Sequence, residues 1–301
     1  MSLDFSETYK CTGPSPVFAP DGRHLATVVE YRLVVRDAES LQVVTIASCL
    51  DKINAVEWAA DSDHILCACY KRGLVQCFSV KDEHWTCKID EGPAGCVHAR
   101  WTPAGTHIIS VAEFHVRMSV WSLIDKSCSH VKAPKFDNKG IDFNADGKFL
   151  AVAERRECKD AITVISTDSW TIAAHFSVAT TDLSNLRWSP DSTSIAVWDA
   201  PLDYVLLLYA PDGRLLHRYT AYEGRLGIKT VSWSPSGHML AAGSYDQRCR
   251  VLNHVTLRAF AELAHPNTVR LPSSVAVYKE VEELSRGESS GGGDGGGDET
   301  G

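Results

Sequence analysis

Short apolar runs alternate with polar turns along most of the chain, and one unit of that alternation recurs six times. Each unit begins with an apolar alternation, an aromatic residue, two small residues and a tight turn. The six copies are Phe18-Ala-Pro-Asp-Gly22, Trp58-Ala-Ala-Asp-Ser62, Trp101-Thr-Pro-Ala-Gly105, Phe143-Asn-Ala-Asp-Gly147, Trp188-Ser-Pro-Asp-Ser192 and Trp233-Ser-Pro-Ser-Gly237. A second apolar run follows each turn, at 24–29, 64–69, 107–112, 148–153, 194–198 and 238–243. A third run then ends at Val34–Asp37, Val75–Ser79, Val120–Ser122, Val164–Ser166, Leu208–Ala210 and Val251–Asn253, and a fourth completes the unit, as at 41–46 and 257–263. Runs this short, rich in β-branched residues and split by Pro, Gly, Asp and Ser, predict a four-stranded antiparallel meander per unit.

The aromatic anchors are 40, 43, 42, 45 and 45 residues apart. That is the period of WD40 repeats, one four-stranded blade per repeat, so the chain resembles an all-β, WD40-type β-propeller of six blades anchored near 18, 58, 101, 143, 188 and 233. The signature dipeptide is degenerate: no third run ends in Trp-Asp, and the literal Trp198-Asp199 falls at the end of a second run. Residues 3–10 precede the first anchor and could supply an outer strand that closes the ring onto the last blade, removing an exposed edge. Six is a small count for such a ring. Val275-Ala-Val-Tyr278 reads as the start of a strand, and the chain then turns into a Gly/Asp-rich stretch. The expectation is a propeller over 1–280, incomplete as a ring, followed by a disordered acidic tail over 281–301.

Charge sharpens this division. Of the net −8, the stretch from Lys279 onward carries −5, seven acids against two bases, leaving the body at −3. A nearly neutral body lacks the basic stripe that binding to nucleic acid requires. The N-terminal MSLDFSETYK has neither a basic n-region nor an apolar h-region, so no signal peptide is expected, and no apolar run is long enough to span a membrane. The ten cysteines form no CxxC pair and are read as reduced, mostly buried small hydrophobes rather than as a zinc site.

Candidate chemistry is sparse. HExxH and GxxxxGK[ST] are absent, and GxSxG and GxGxxG are matched only by the low-complexity stretch 287–297, where the composition alone produces them. Asp199 with Asp203, or Glu154 with Glu157, could be nominated as acid–base pairs, but solvated loops explain them better. His64, His107 and His238, with His24 nearby, occupy a repeat position at the start of second runs, which reads as turn packing rather than a metal cluster. The turns between second and third strands all emerge on one face of a propeller. They would form a ring of mixed charge and exposed aromatics. Tyr31, Arg32, Lys71, Arg72, Phe114, His115, Arg155, Arg156 and Tyr204 are the candidate partner-binding residues there, because Arg and Tyr dominate protein–protein hot spots. Asp246, in Ser244-Tyr-Asp-Gln247, is read instead as a residue that hydrogen-bonds within its own blade.

Several strings resemble a narrower family. Tyr31-Arg-Leu-Val-Val-Arg-Asp37, Tyr70-Lys-Arg-Gly-Leu-Val-Gln76, Cys87-Lys-Ile-Asp-Glu-Gly92, Ala153-Glu-Arg-Arg-Glu-Cys-Lys-Asp160, Leu226-Gly-Ile-Lys229, Leu252-Asn-His-Val-Thr256 and Val277-Tyr-Lys-Glu280 are similar to the WD-repeat protein eight family, encoded antisense to the p-seventy-three gene. The resemblance covers about residues 4–280. It implies a scaffold of the cytoplasmic cytoskeleton, at centrosomes or other microtubule-organising centres, centriolar satellites and spindle poles. Such a scaffold would pair with a coiled-coil spindle-anchoring protein and a minus-end-directed kinesin, anchor microtubule minus ends and support cilium assembly. Family members continue past Val-Tyr-Lys-Glu into further repeats, so the chain is expected to hold the first six blades of a longer propeller. The reading is a non-enzymatic platform for protein partners, without cofactor, metal, nucleic acid, membrane or small-molecule substrate. The alternatives are a WD-repeat adaptor or substrate receptor in another complex, such as a ubiquitin ligase, and an enzyme with catalytic side chains converging at the central channel.

Overall fold

In the computed structural model, which describes residues 8–132, 134–222 and 226–264, the six repeats fold as six four-stranded antiparallel sheets, each paired in sequence order. Sheet 1 holds β1 (Val17–Phe18), β2 (His24–Val29), β3 (Arg32–Asp37) and β4 (Val43–Ser48). Sheet 2 holds β5 (Ala55–Trp58), β6 (His64–Cys69), β7 (Leu74–Ser79) and β8 (Thr86–Asp90), and sheet 3 holds β9 (His98–Trp101), β10 (His107–Val111), β11 (Arg117–Ser122) and β12 (Cys128–Lys132). Sheet 4 holds β13 (Ile141–Phe143), β14 (Phe149–Arg156), β15 (Lys159–Ser166) and β16 (Thr171–Ser177). Sheet 5 holds β17 (Asn185–Trp188), β18 (Ile195–Trp198), β19 (Leu206–Tyr209) and β20 (Leu215–Tyr219). Sheet 6 holds β21 (Ile228–Trp233), β22 (Met239–Ser244), β23 (Arg248–Asn253) and β24 (Ala259–Ala264). Residues 1–262 form one compact unit; of the second, 263–301, Leu263 and Ala264 are described.

Every anchor ends its first strand and pairs with the residue seven positions on: Phe18 with Leu25, Trp58 with Ile65, Trp101 with Ile108, Phe143 with Leu150, Trp188 with Ile195 and Trp233 with Leu240. One turn sets this register six times. Its fourth residue after the anchor has positive φ throughout: Gly22, Gly105, Gly147 and Gly237 at 68–75°, and Ser62 and Ser192 at 58° and 60°. Glycine adopts that conformation freely, whereas serine does so under strain. Each serine has a compensation: the Ser62 hydroxyl accepts the Asp21 N–H at 3.1 Å, and the Ser192 hydroxyl accepts the Ala145 N–H at 3.2 Å, tying the turn to that of the preceding sheet.

The turn after the third strand explains how the repeat manages without Trp-Asp. Asp37 accepts the N–H groups of Glu39 and Ser40, and Asn253 those of Val255 and Thr256. The hydroxyls of Ser79 and Ser122 accept the equivalent N–H groups at Lys81, Asp82, Ile124 and Asp125. Short side-chain acceptors that mimic a backbone turn are interchangeable here. Trp198 does end a second strand, β18, as its sequence position implied.

Second strands are buried on both faces in sheets 2–5, while fourth strands are largely exposed. Five apolar clusters join consecutive sheets, from sheet 1 to sheet 6. In each, the anchor of the later sheet packs on the earlier one. Among the described residues no such cluster joins sheet 6 to sheet 1, so the array is open, as expected of an incomplete ring. Cys67 and Cys69 project from the same face of β6 into the first cluster beside Cys49. All ten cysteines are unpaired, and burial pushes the Cys96 thiol up to about 12. The second-strand histidines pack on aromatic rings, His24 on Trp58, His64 on Trp85 and His107 on Trp170. Residues 8–10 form no strand; residues 3–7, the Val275–Tyr278 stretch and the Gly/Asp tail lie outside the described residues.

Candidate partner-binding face

An antiparallel meander puts its second-to-third turn and the loop leading to the next sheet at the same end. Backbone bonds tie the two together: Cys49 N–H to the Tyr31 carbonyl (2.8 Å), Glu91 N–H to Gly73 (3.1 Å) and Val178 N–H to Asp160 (3.0 Å).

In sheet 1 the turn is Glu30-Tyr31. Tyr31 is exposed, and the Arg32 guanidinium lies 5.4 Å from its ring centroid. The turn borders a cleft of about 680 Å³ lined by Thr12, Glu30, Tyr31 and residues 49–52. In sheet 2 a one-turn 3-10 helix, Tyr70–Arg72, presents Lys71 and Arg72 to solvent and ends on Gly73 at φ 64°. Arg72 reaches Asp51 at 3.6 Å; among the described residues no carboxylate pairs with Lys71. A Cβ at Gly73 would sit 3.1 Å from the Gly95 Cα, a crowded contact on a left-handed backbone, so glycine suits the position.

In sheet 3 the turn Glu113–His115 holds two consecutive non-glycine residues at positive φ, Phe114 at 57° and His115 at 52°. The conformation costs on the order of 1 kcal/mol per residue. Its visible result is that the Phe114 side chain is 90% exposed, with Val116 exposed beside it and His115 partly buried.

Sheet 4 has the longest hairpin, β14–β15, turning at Glu157-Cys158 with φ of 48° and 60°. Two positive φ values mark a type I′ turn, which matches strand twist but normally takes Asn-Gly. The two arginines, adjacent in sequence, part company here. Arg155 is drawn into an ion network: its guanidinium contacts Asp182 and lies 3.6 Å from Asp160. Lys135, almost fully buried, sits 2.9 Å from Asp160, 2.6 Å from Asp182 and 2.7 Å from the Leu183 carbonyl. Asp160 is buried and also accepts the Leu183 N–H at 2.6 Å. The Lys135 and Arg155 hydrogen bonds and charges hold the Asp182 carboxyl below the usual range. This network fastens sheet 4 to the loop entering sheet 5. Arg156 is exposed, and among the described residues it has no ion-pair partner.

Sheet 5 corrects one expectation. Tyr204 does not line the exposed face; it is 2% exposed, in the core shared with sheet 6. Residues 199–205 form a longer turn folded back by Asp203 N–H to the Ala200 carbonyl and Val205 N–H to the Asp203 carbonyl, both 3.0 Å. That fold turns Tyr204 inward, under the Arg250 guanidinium at 5.2 Å, which donates to its hydroxyl at 3.3 Å. Leu202 occupies the exposed position instead. Gly227 closes against this turn, where a Cβ would lie 2.5 Å from the Ala200 carbonyl oxygen. In sheet 6 Tyr245 is exposed and Asp246 is held within its own blade by Arg250 at 2.7 Å, Ser244 and the Arg248 N–H. Burial opposes ionisation of Asp246, but the Arg250 and Ser244 hydrogen bonds outweigh it and lower its pKa.

The nominated carboxylates correct another expectation: Glu154 and Asp199 are not solvated loop residues but buried hydrogen-bond acceptors. Glu154 is buried and accepts the Thr163 hydroxyl at 2.7 Å; Asp199 is buried and accepts the N–H groups of Thr181, Asp182 and Ala200, each at 2.8 Å. The face therefore offers exposed apolar tips (Tyr31, Phe114, Val116, Leu202, Tyr245) among uncompensated cations (Lys71, Arg156). Leu50, Val116, Leu202 and Leu226 join it without having been singled out in the sequence; the signal was a lone large apolar residue inside a polar loop.

These features define a class by fold: a repeat protein of WD-type propeller blades. Residues 213–253 match the family model of the WD domain, G-beta repeat. The fold is shared by the β-propeller domain of Myceliophteria thermophila Cps50 (Swd1), with a TM-score of 0.55 and 17% identity over 85% of this chain and 88% of that one. More particularly, the chain is 49% identical over 281 residues to WD repeat-containing protein WRAP73 of Mus musculus, covering 93% of this chain and 61% of that protein. It is 24% identical over 249 residues to an uncharacterized WD repeat-containing protein of Schizosaccharomyces pombe, covering 77% of this chain and 50% of that protein. The chain thus spans between half and two thirds of the length of these relatives.

Proposed function

We propose that this chain is a non-enzymatic scaffold that captures protein partners on the face built from the second-to-third turns, at the centrosome and spindle pole. The observation that carries the reading is Phe114, 90% exposed on a backbone held in the left-handed region. A solvent-exposed phenylalanine has no folding reason to sit there, whereas a rigid aromatic amid cations is the usual anchor of a protein interface. The likeness to WRAP73 over 93% of the chain supports partners of the kind that family resemblance implies: a coiled-coil spindle-anchoring protein and a minus-end-directed kinesin, serving minus-end anchoring, spindle organisation and cilium assembly.

The test is capture of the purified coiled-coil spindle-anchoring protein by the chain and by a Phe114→Ala, Arg156→Glu double variant. Both side chains are exposed and make no core contact, so the variant should melt with the wild type. The expected result is at least a ~10-fold loss of affinity. Undiminished capture by the folded variant removes this face from the interaction. Capture of a purified cullin adaptor, offered in parallel, in place of the coiled-coil protein points to the ubiquitin-ligase reading.

A further inference from the structure

The fourth strands are the outer edges of the sheets, and an outer edge presents a row of unpaired N–H and C=O groups. The usual defence is a charge. Here β8 carries Lys88 and Asp90, β12 His130, β16 His175, β20 His217 and Arg218, and β24 Glu262. β4, Val43-Val-Thr-Ile-Ala-Ser48, carries no ionisable residue and no proline, and its first four residues are β-branched. The Cys49 N–H bonds inward to Tyr31, which fixes the alternation along β4 and turns the N–H and C=O groups of Ile46 and Ser48 outward. Ile46 is 59% exposed and Val43 and Val44 are also exposed. A groove of about 420 Å³ runs along the strand, floored by Leu33, Ile65, Phe78 and Trp85.

We infer that β4 is a strand-pairing edge whose occupant is β4 of a second copy of this chain. The complementarity is one of charge and hydrogen bonding. A second β4 brings the same uncharged, β-branched segment, so no charge on either strand repels the other despite the net charge of −8, Glu83 being the one ionisable residue lining the groove, and antiparallel pairing about a two-fold axis matches donors to acceptors. The outward groups place Ile46 opposite Ile46 of the second copy, with Ser48 of each copy facing the bulged Val44 of the other. Pairing uses up the free edge on both copies, so it stops at a dimer. The surface is distinct from the turn-lined face, and neither reading depends on the other.

The experiment is sedimentation equilibrium of the chain over a wide concentration range, with Ile46→Lys and, as a control, Ile172→Lys on β16, an outer-strand residue exposed to a similar 57%. Circular dichroism verifies that each variant is folded. The expected result is a monomer–dimer equilibrium for the wild type, weakened ~10-fold or more by Ile46→Lys, which sets two like charges directly opposite each other, and unchanged by Ile172→Lys. A wild type that stays monomeric throughout, a dimer indifferent to Ile46→Lys, or one dissolved equally by Ile172→Lys each overturns the assignment.

Discussion

Trp101 and Phe18 hold the same position in the repeat, yet Trp101 is 4% exposed and Phe18 is 60% exposed. The difference lies in what precedes them. Trp101 ends β9 and packs on sheet 2, its indole N–H donating to the Glu57 carbonyl at 3.2 Å and its own backbone N–H to the Glu57 carboxylate at 3.0 Å. Trp188 repeats the backbone half of the arrangement, its N–H donating to the Asp142 carboxylate at 2.8 Å. Phe18 belongs to sheet 1, and among the described residues no other sheet packs on it as sheet 2 packs on Trp101. An anchor is therefore not a feature of a single blade: it is half of a joint, and the acid preceding one anchor is the other half's acceptor. This is how a chain of small sheets, each unable to bury both faces alone, becomes stable through nearest-neighbour packing.

The comparison can be broken most strongly at the anchors. Trp101→Ala should cost ~3–5 kcal/mol, while Phe18→Ala should cost well under ~1 kcal/mol, as read from urea midpoints. Equal costs would show that the anchors stabilise their own sheets and not the joints. A second joint, between sheets 4 and 5, depends on Lys135. Lys135→Met should cost ~3 kcal/mol, because it leaves the buried Asp160 without its main cation. Arg156→Met, one residue beyond the networked Arg155, should leave the midpoint unchanged.

A smaller effect sharpens the electrostatics of the joints. Burial raises the pKa values of Glu57 and Asp142 despite the N–H groups they accept. A carboxyl whose folded pKa exceeds its unfolded value of about 4.3 penalises folding fully above the folded pKa, and the penalty fades as pH falls through it. Glu57→Gln should therefore be more stable than the wild type at pH 7, with the gap closing toward pH 4. Asp182 behaves oppositely. Its lowered pKa contributes stability above about pH 4, and that contribution is lost as acid protonates it. The smallest effect lies in the turns. Ser62→Gly relieves a positive φ but removes the bond to Asp21, so the two terms nearly cancel, whereas Ser62→Ala keeps the strain and should cost ~1 kcal/mol in the same denaturation assay.

The blades were legible because the information is local and repeated. Anchor, turn and alternation recur at a fixed period, and the structure puts every anchor at the end of a first strand. The candidate face was legible only in part. Tyr31, Arg32, Lys71, Arg72, Phe114, His115 and Arg156 do lie on its turns. Counting a fixed distance from the anchor failed at Tyr204, because the turn of sheet 5 is longer than the others and folds back. Arg155 could not be told from Arg156 by sequence, since its main partner, Asp182, lies 27 residues away and Asp160 is shared with the distant Lys135. Asp246 was recognised correctly because its partner is close by, at Arg250.

The central claim is that partners meet the second-to-third turns. Hydrogen exchange of the chain with and without the coiled-coil spindle-anchoring protein tests it directly. Binding should slow exchange in peptides spanning 30–32, 70–73, 113–116 and 155–159. Protection confined to the opposite turns, around Ile124 and Val255, would contradict it.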